Sequence, residues 1–347
     1  MRRFDAKQLE NLMPSTLAAH GAASDSIRHV VASLVQTSLR GVDSHGINLF
    51  PHYCKAVSAG RVNGTPNIQI ELSGNSTALV DADHAFGHHS GAVAMEQALL
   101  LAQENGIGAV SVRNSTHFGA AAYFAMMAPA KECIGLAFTN ADALVKAFGA
   151  REPFFGTNPV CFAAPMASEG PFCLDMATSL VSWNKIKNYR RTNVELMPEW
   201  ACNADGLPVT DPHEAMSLNP AGGYKGFGLG MMVDILCALL AGGKISKDLR
   251  PMYEPPLDSN KRGISHFFMA LDISRFTDPQ LFKQTLQSMA ARIRALTPLD
   301  ATEPVMIAGD PEKKSFIVRS REGIPVDDAT YHEYLSLNPK FAEALVS

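Results

Sequence analysis

IGAVSVRNSTHFG, residues 107–119, is the stretch on which the expected fold depends. Its first part is apolar and rich in β-branched residues, which predicts a buried strand. Asn114, Ser115 and Thr116 then end the strand, because their side chains hydrogen-bond locally and favour turns and helix caps. His117 follows, and an alanine-rich helix is expected over 120–130. This order predicts His117 at the carboxyl end of a strand, where open α/β sheets place their ligand crevices.

The chemistry of His117 allows two interpretations. An unperturbed imidazole has a pKa of about 6.5, which suits proton transfer near neutral pH. A structural histidine that caps a strand explains the same pattern. The residues alone leave both interpretations open.

Composition narrows the class of protein. The chain has 347 residues, of which 46% are apolar and 18% charged, as in a compact protein with a sizeable core. A net charge of −4, without any basic run, argues against a nucleic-acid partner. The first residues lack the apolar segment of a secretory signal, and the longest apolar stretch is too short to cross a bilayer. We therefore expect no membrane partner.

Cysteine usage bears on location. The six cysteines are scattered, and none forms a C-x-x-C pair. Free buried thiols explain that pattern better than disulfides or a zinc site, and they are typical of a reducing compartment. We expect a cytoplasmic protein.

The order of patterns along the chain predicts two domains. The first 70 residues are mostly helical, with an amphipathic helix over 24–39 and a second over 51–60. From about 71 onward, strands alternate with helices, a pattern compatible with a parallel arrangement. We expect a mainly helical domain from residues 1–70 and about 300–347. Residues 71–299 are expected to form an α/β domain, a mixed sheet covered by helices, that binds cofactor and substrate.

A second anchor is GGYKGFGLG, residues 222–230, ahead of a helix expected over 231–240. A glycine-rich loop at a helix N-terminus presents free N–H groups to an anion, and Lys225 adds a positive charge. The stretch is not a Walker loop, and no G-x-G-x-x-G occurs in the chain. A glycine-lined helix packed closely on a sheet remains the alternative.

Several polar residues could carry chemistry together. His45 and His117, with Lys225, Asp175 and Asn158, supply the acid–base group, carboxylate and anion loop that a 2-oxo acid dehydrogenase needs. No metal site is expected, since the adjacent histidines 88 and 89 point apart and no H-E-x-x-H is present. A serine hydrolase is disfavoured because no G-x-S-x-G surrounds Ser44.

Five ordered blocks resemble one family, the type-2 malate/L-lactate dehydrogenases, which include ureidoglycolate, sulfolactate, diketogulonate and piperideine-carboxylate relatives. The blocks are RGVDSHGI (40–47), RNSTHFGAAAYF (113–124), FGTNPVCFAAP (155–165), LDMATS (174–179) and GGYKGFGLGMMVDIL (222–236). The resemblance covers about residues 10 to 300. It implies a non-Rossmann NAD(P) fold, which explains the missing dinucleotide fingerprint.

The resemblance also implies roles for individual residues. His117 matches the family's proton acceptor, His45 matches a histidine that some reductase members use as proton donor, and Ser44 is its neighbour at the substrate. The positions that match the cofactor-binding segments are Asp175, Met176, Ala177, Lys225, Gly226, Thr157 and Asn158.

Two departures from the family pattern concern the substrate. Many members carry an arginine shortly after the S-H-G histidine, suited to a carboxylate. This chain has Leu49 there, preceded by Asn48. We hypothesise that Lys146 or Arg262 replaces the lost cation, or that the substrate lacks a carboxylate in the usual position. Asn48 is also expected to contact the substrate.

The resemblance implies an NAD(P)-dependent oxidoreductase of a small 2-hydroxy or 2-oxo acid of the malate, lactate or ureidoglycolate type. It implies NAD as cofactor, with NADP still open, and a homodimer. An NADPH-dependent reductase of cyclic ketimines and a non-catalytic nucleotide-binding protein remain the alternatives.

Overall fold

The computed structural model describes residues 2–253 and 259–346. The helices are α1 (Ala6–Ala19), α2 (Ser24–Leu39), α3 (Phe50–Ser58), α4 (Gly87–Asn105), α5 (Ala121–Ala125), α6 (Trp183–Thr192), α7 (Tyr224–Asp234), α8 (Pro279–Arg294), α9 (Asp310–Glu322) and α10 (Asp328–Leu337). The strands are β1 (Arg2–Phe4), β2 (Gln69–Leu72), β3 (Thr77–Asp81), β4 (Ile107–Ser115), β5 (Cys133–Thr139), β6 (Val145–Lys146), β7 (Pro153–Phe155), β8 (Val160–Ala164), β9 (Phe172–Met176), β10 (Ala201–Cys202), β11 (Ser217–Leu218), β12 (Ile264–Asp272) and β13 (Ile324–Val326).

The main sheet is mixed and helix-covered, which confirms the expected fold class. Its seven strands run in the order β2-β3-β4-β12-β5-β8-β9. Only β3 and β4 pair in parallel, so a parallel arrangement is wrong for the rest of this sheet. The cause is β12, which arrives late in the chain and inserts antiparallel to both neighbours between β4 and β5.

Helix α4 brings the segment before the central strand close to His117. Residues 87–91 form the first turns of α4. The Gly87 N–H donates to Thr116 Oγ1 over 3.0 Å, so the helix start is capped from a distant loop. Local sequence does not reveal that cap. It fastens α4 to the loop that carries His117.

Residues 224–230 of the glycine-rich stretch are helical, and residues 222–223 form the turn before them. Gly222 and Gly223 have φ of +66° and +65°, and α7 begins directly after them. A Cβ at Gly226 would lie 2.0 Å from Ala221 O, so the turn requires glycine there. The glycines thus lie in a turn and the first turns of a helix, and anion binding at this helix N-terminus stays a prediction.

Two apolar clusters flank the site. One lies between α4 and the sheet and includes Met95, Val110 and Phe268. The other draws on both ends of the described chain, from Phe4 to Ala344. This second cluster supports the expected two-domain division, which stays a prediction. None of the helices in residues 2–253 and 259–346 is long and apolar enough to cross a membrane.

Candidate active site

His117 is held between the sheet and the N-terminal helices. It follows β4, and its Nδ1 lies 2.7 Å from the Oη of Tyr53 on α3. Tyr53 is only 2% exposed, so the phenol is a fixed partner. Gly119 shapes the loop, with φ of +78° and an implied Cβ position 2.8 Å from His88 Nε2. The loop therefore needs glycine at this position to place the imidazole.

His45 lies beside His117. The short helix Asp43–His45 carries it, and Ser44 Oγ is 2.9 Å from its Nδ1. The two imidazoles stack with ring centroids 5.6 Å apart. Arg319 of α9 anchors this short helix through Asp43, with Nη2 2.9 Å from Oδ2. Each histidine thus has its Nδ1 engaged, which leaves Nε2 as the group available to a ligand.

A cavity of about 340 Å³ contains both imidazoles. This substrate-sized cavity is small and largely apolar, within the usual range for ligand sites. Its further lining residues are Leu49, Ala141, Asp142, Leu144, Thr157, Ser182, Trp183, Asn184, Lys187, Pro251, Met252 and Tyr253. We call it the histidine cavity.

A second cavity of about 350 Å³ adjoins it, and we call this one the long cleft. His45, Thr157 and Ser182 line both, so two molecules bound in them would meet at His45. The cleft walls are mainly small residues: residues 119–122, Cys173, Leu174, Asp175, Ala177 and residues 306–309.

The long cleft fits an extended dinucleotide. A groove of about 850 Å³ continues it and shares Arg40, Val42, Ala120 and Ala122 with it. Small side chains let a flat ring and a chain of phosphates approach the backbone, and the guanidinium of Arg40 is a suitable partner for phosphate. These residues are those that would hold a nicotinamide cofactor.

Burial determines the protonation states of His117, His45 and Tyr53. Desolvation, followed by the positive charge of protonated His45, holds the pKa of His117 well below its usual value. Desolvation lowers the pKa of His45 to about 4. The pKa of Tyr53 is raised well above its usual value, so the phenol keeps its proton. Both imidazoles are therefore neutral at pH 7.

Asp175 is the carboxylate of the long cleft. Its side chain opens to the cleft, yet surrounding protein limits its hydration and raises its pKa to about 6. The Ala122 N–H donates to its Oδ2 over 2.8 Å. This bond joins β9 to the start of α5 at the cleft wall.

The structure brings together some of the residues that the sequence singles out. His117, His45, Ser44, Thr157, Asp175 and Ala177 all line one or both cavities. Asn158 does not, because it is fully buried, with Oδ1 accepting from Ala141 N and Nδ2 donating to Gly230 O. Met176 ends β9 opposite Val160 and lines neither cavity.

The other candidates lie elsewhere. Lys225 and Gly226 form the first turn of α7, and the exposed Lys225 lines neither cavity. Asn48 is exposed and borders an outer depression. Lys146 Nζ donates to Gly206 O over 2.9 Å. None of these four residues lines the histidine cavity or the long cleft.

Arg262 is close to the site but already engaged. It is 3% exposed, is ion-paired with Asp142 and donates through Nε to Arg250 O over 2.9 Å. Lys146 and Arg262 are the two proposed substitutes for the family arginine, and neither lines the histidine cavity. Sequence reasoning missed Lys187 and residues 306–309, since only the folded chain brings those segments to the site.

Buried histidines make stability depend on pH. Desolvation lowers the pKa of His45 to about 4 and that of both His88 and His266 to about 3. The unfolded chain binds more protons below pH 6.5, so these groups support the fold above that pH and destabilise it as pH falls toward their folded values. We expect a lower free energy of unfolding by urea at pH 5 than at pH 7.5. Equal values, without proton uptake on unfolding at pH 5.5, would contradict this.

Comparison with known proteins agrees with this geometry. Residues 4–334 match the family model described as malate/L-lactate dehydrogenase. The malate dehydrogenase of Pyrococcus abyssi is 36% identical over 93% of this chain and 91% of its own. The NAD(+) ureidoglycolate dehydrogenase of Escherichia coli K12 is 30% identical over 96% of this chain and 95% of its own. The crystal structure of malate dehydrogenase from Entamoeba histolytica superposes with a TM-score of 0.92 at 28% identity, covering 98% of each chain.

Fold, cavities and comparisons together define an enzyme of the 2-hydroxy acid dehydrogenase class, which uses a nicotinamide cofactor. The chain belongs to the malate/L-lactate dehydrogenase family.

Proposed function

We propose that this enzyme interconverts a small 2-hydroxy acid and its 2-oxo acid, with His117 as the acid–base group and NAD as the cofactor. One observation carries the proposal: His45 lines both the histidine cavity and the long cleft while it stacks on His117. A substrate carbon and a nicotinamide ring in these two spaces would be neighbours at the imidazoles.

A nicotinamide cofactor held in the long cleft would supply the hydride acceptor in oxidation and the hydride donor in reduction. In oxidation, His117 Nε2 takes the hydroxyl proton while Nδ1–H donates to Tyr53 Oη. In reduction, the protonated imidazole returns its Nε2 proton to the substrate oxygen and becomes neutral, while Nδ1–H still donates to Tyr53 Oη. The phenol oxygen thus accepts from Nδ1–H in both directions, and Tyr53 keeps its own proton.

We assign His45 to orienting the substrate oxygen. Two stacked imidazoles at 5.6 Å resist carrying positive charge together. Protonation of His117 during oxidation therefore keeps His45 neutral and available as a hydrogen-bond partner through Nε2. Ser44 fixes that ring by its contact with Nδ1.

Charge in the long cleft supports NAD over NADP. Two carboxylates, Asp175 and Glu312, line it beside the single cation Arg40, among the residues that the structure describes. An additional phosphate, as in NADP, would meet an excess of negative charge. Asp175, Ala177 and Thr157 are the proposed cofactor contacts. The roles of Lys225, Gly226, Met176 and Asn158 toward the cofactor stay predictions.

A substrate panel tests the proposal. L-lactate, L-malate, ureidoglycolate and sulfolactate are each followed at the absorbance of reduced nicotinamide with NAD and with NADP. We expect turnover of at least one acid, with the higher kcat/KM for NAD. Reduction of piperideine-2-carboxylate without oxidation of any acid would instead support the ketimine reductase.

We also propose a homodimer in the cytoplasm. An exposed apolar patch supports the dimer, since such patches mark contact surfaces; it comprises Leu229, Met231, Met232, Ile235, Leu239 and Leu240. All six cysteines are free and buried, as is typical of a reducing compartment. A monomer in sedimentation equilibrium would contradict the dimer.

A further inference from the structure

The histidine cavity has one cationic side chain. Among its described lining residues, Lys187 is the only lysine or arginine, and Asp142 is the only carboxylate. Asp142 already has a counterion in the buried Arg262. Lys187 pairs with no described carboxylate, and its Nζ lies 3.3 Å from the centroid of the Tyr253 ring. Among the described lining residues, Lys187 is therefore the one cation without a carboxylate in direct ionic contact.

Helix α6 holds Lys187 in place. Trp183 and Asn184 lie four and three residues before Lys187, so both are its neighbours on the helix surface, and all three line the cavity. Ser182 caps the helix by accepting from Lys185 N over 3.2 Å. Ile186 is fully buried and anchors another face of α6. The ammonium thus projects from a fixed element.

An anion in the cavity would stabilise this ammonium. Lys187 is half-buried, and desolvation lowers its pKa while the charge of Asp142 opposes that effect. A partly desolvated cation gains more from a direct ionic hydrogen bond than an exposed one does.

We propose that Lys187 binds the substrate carboxylate and that the enzyme selects 2-hydroxy monocarboxylates over dicarboxylates. The proposal rests on the function given above. One carboxylate satisfies Lys187, whereas a second anionic group would lie among apolar side chains such as Leu49 and Leu144, or close to Asp142. Burial of an unpaired charge there is costly.

Replacement of Lys187 tests the carboxylate contact. In Lys187→Met we expect KM for the best monocarboxylate to rise about 10-fold or more, because a hydrogen bond to a charged group contributes about 1.5–3 kcal/mol. Lys187→Arg should retain most of the affinity. The matched control is Arg191→Met on the same helix, an exposed arginine that bonds Asn188, with KM unchanged. An unaltered KM in Lys187→Met would overturn the contact.

Binding of oxamate, a 2-oxo acid analogue with one carboxylate, tests the same contact without turnover. Calorimetry in the presence of reduced cofactor should show weaker binding to Lys187→Met than to the wild type. If the wild type oxidises no hydroxy acid but still binds oxamate through Lys187, the proposed function fails and the contact stands. Equal affinity in the two proteins would contradict the contact.

Leu49→Arg tests the selectivity. A second cation in the histidine cavity should raise kcat/KM for L-malate relative to L-lactate by about 10-fold, the scale of one ionic hydrogen bond. A wild type that already prefers L-malate, or a variant with an unchanged ratio, would overturn the monocarboxylate assignment.

Discussion

Replacement of His117 by alanine is expected to lower kcat by about 100-fold or more, the usual scale for a lost acid–base group. The imidazole lines the histidine cavity and its Nδ1 has a buried partner, Tyr53, which leaves Nε2 as the nitrogen available to a ligand. His117 does not line the long cleft. We therefore expect unchanged affinity for reduced cofactor, measured by fluorescence titration.

Two variants control this result. His213 is an exposed histidine bonded to Asn193, and His213→Ala should leave kcat unchanged. Tyr53→Phe keeps the His117 imidazole but removes the partner of Nδ1, so its kcat should fall between the wild type and His117→Ala. A near-normal kcat in His117→Ala would remove His117 from the mechanism and leave His45 as the acid–base candidate.

The pH dependence of oxidation follows from the same imidazole. The base must be neutral, and desolvation holds the pKa of His117 well below its usual value. Activity should therefore persist as pH falls below 6.5 and decline only at lower pH. A decline of kcat/KM centred at or above pH 6.5 would show that a different group accepts the proton.

The second large effect concerns stability. Arg262→Leu should lower the free energy of unfolding by about 3–5 kcal/mol, because it leaves Asp142 buried without its counterion. The two side chains are 4% and 14% exposed, so water compensates only in part for the lost partner. Urea unfolding of the wild type and the variant measures the change.

Two further variants distinguish the effect of burying the Arg262–Asp142 ion pair from the effect of losing a charge. Arg113→Leu breaks an ion pair whose side chains are 41% and 33% exposed, and it should cost less than about 1 kcal/mol. The double variant Arg262→Leu/Asp142→Leu should recover part of the loss, since no unpaired charge remains. Equal losses in Arg262→Leu and Arg113→Leu would contradict the role given to the buried pair.

Local patterns predict the elements well where packing follows sequence spacing. The apolar repeat over 24–39 predicts α2, which spans Ser24–Leu39. The β-branched run that starts at residue 107 predicts β4, and the loop after it carries His117 as expected. In both cases the buried face is encoded within the element itself.

Long-range pairing explains what the sequence does not predict. The place of β12 between β4 and β5 depends on contacts with residues far along the chain, so alternation alone suggested parallel strands. The start of α4 at Gly87 depends on Thr116 Oγ1, a cap outside its own segment. Tertiary contacts of this kind override the local propensity of a segment for helix or strand.

The same reason limits prediction of the site. The resemblance to the family identifies both histidines. The sequence alone does not show which lysine or arginine takes the place of the family arginine. Lys146 and Arg262 are bound to other groups, whereas Lys187 lines the cavity only because α6 packs beside the histidines. Whether a lysine or arginine is available to the substrate therefore depends on the partners that the folded chain gives it, and not on its residue type.

Isotope transfer tests the central claim most directly: hydride passes between substrate and nicotinamide beside His117. The preferred hydroxy acid, deuterated at C2, is oxidised by the wild type in ordinary water, and the reduced cofactor is examined by NMR. We expect the deuterium at C4 of the nicotinamide, since the hydride moves directly between the two adjoining cavities. Deuterium released to water, with an unlabelled cofactor, would contradict the account.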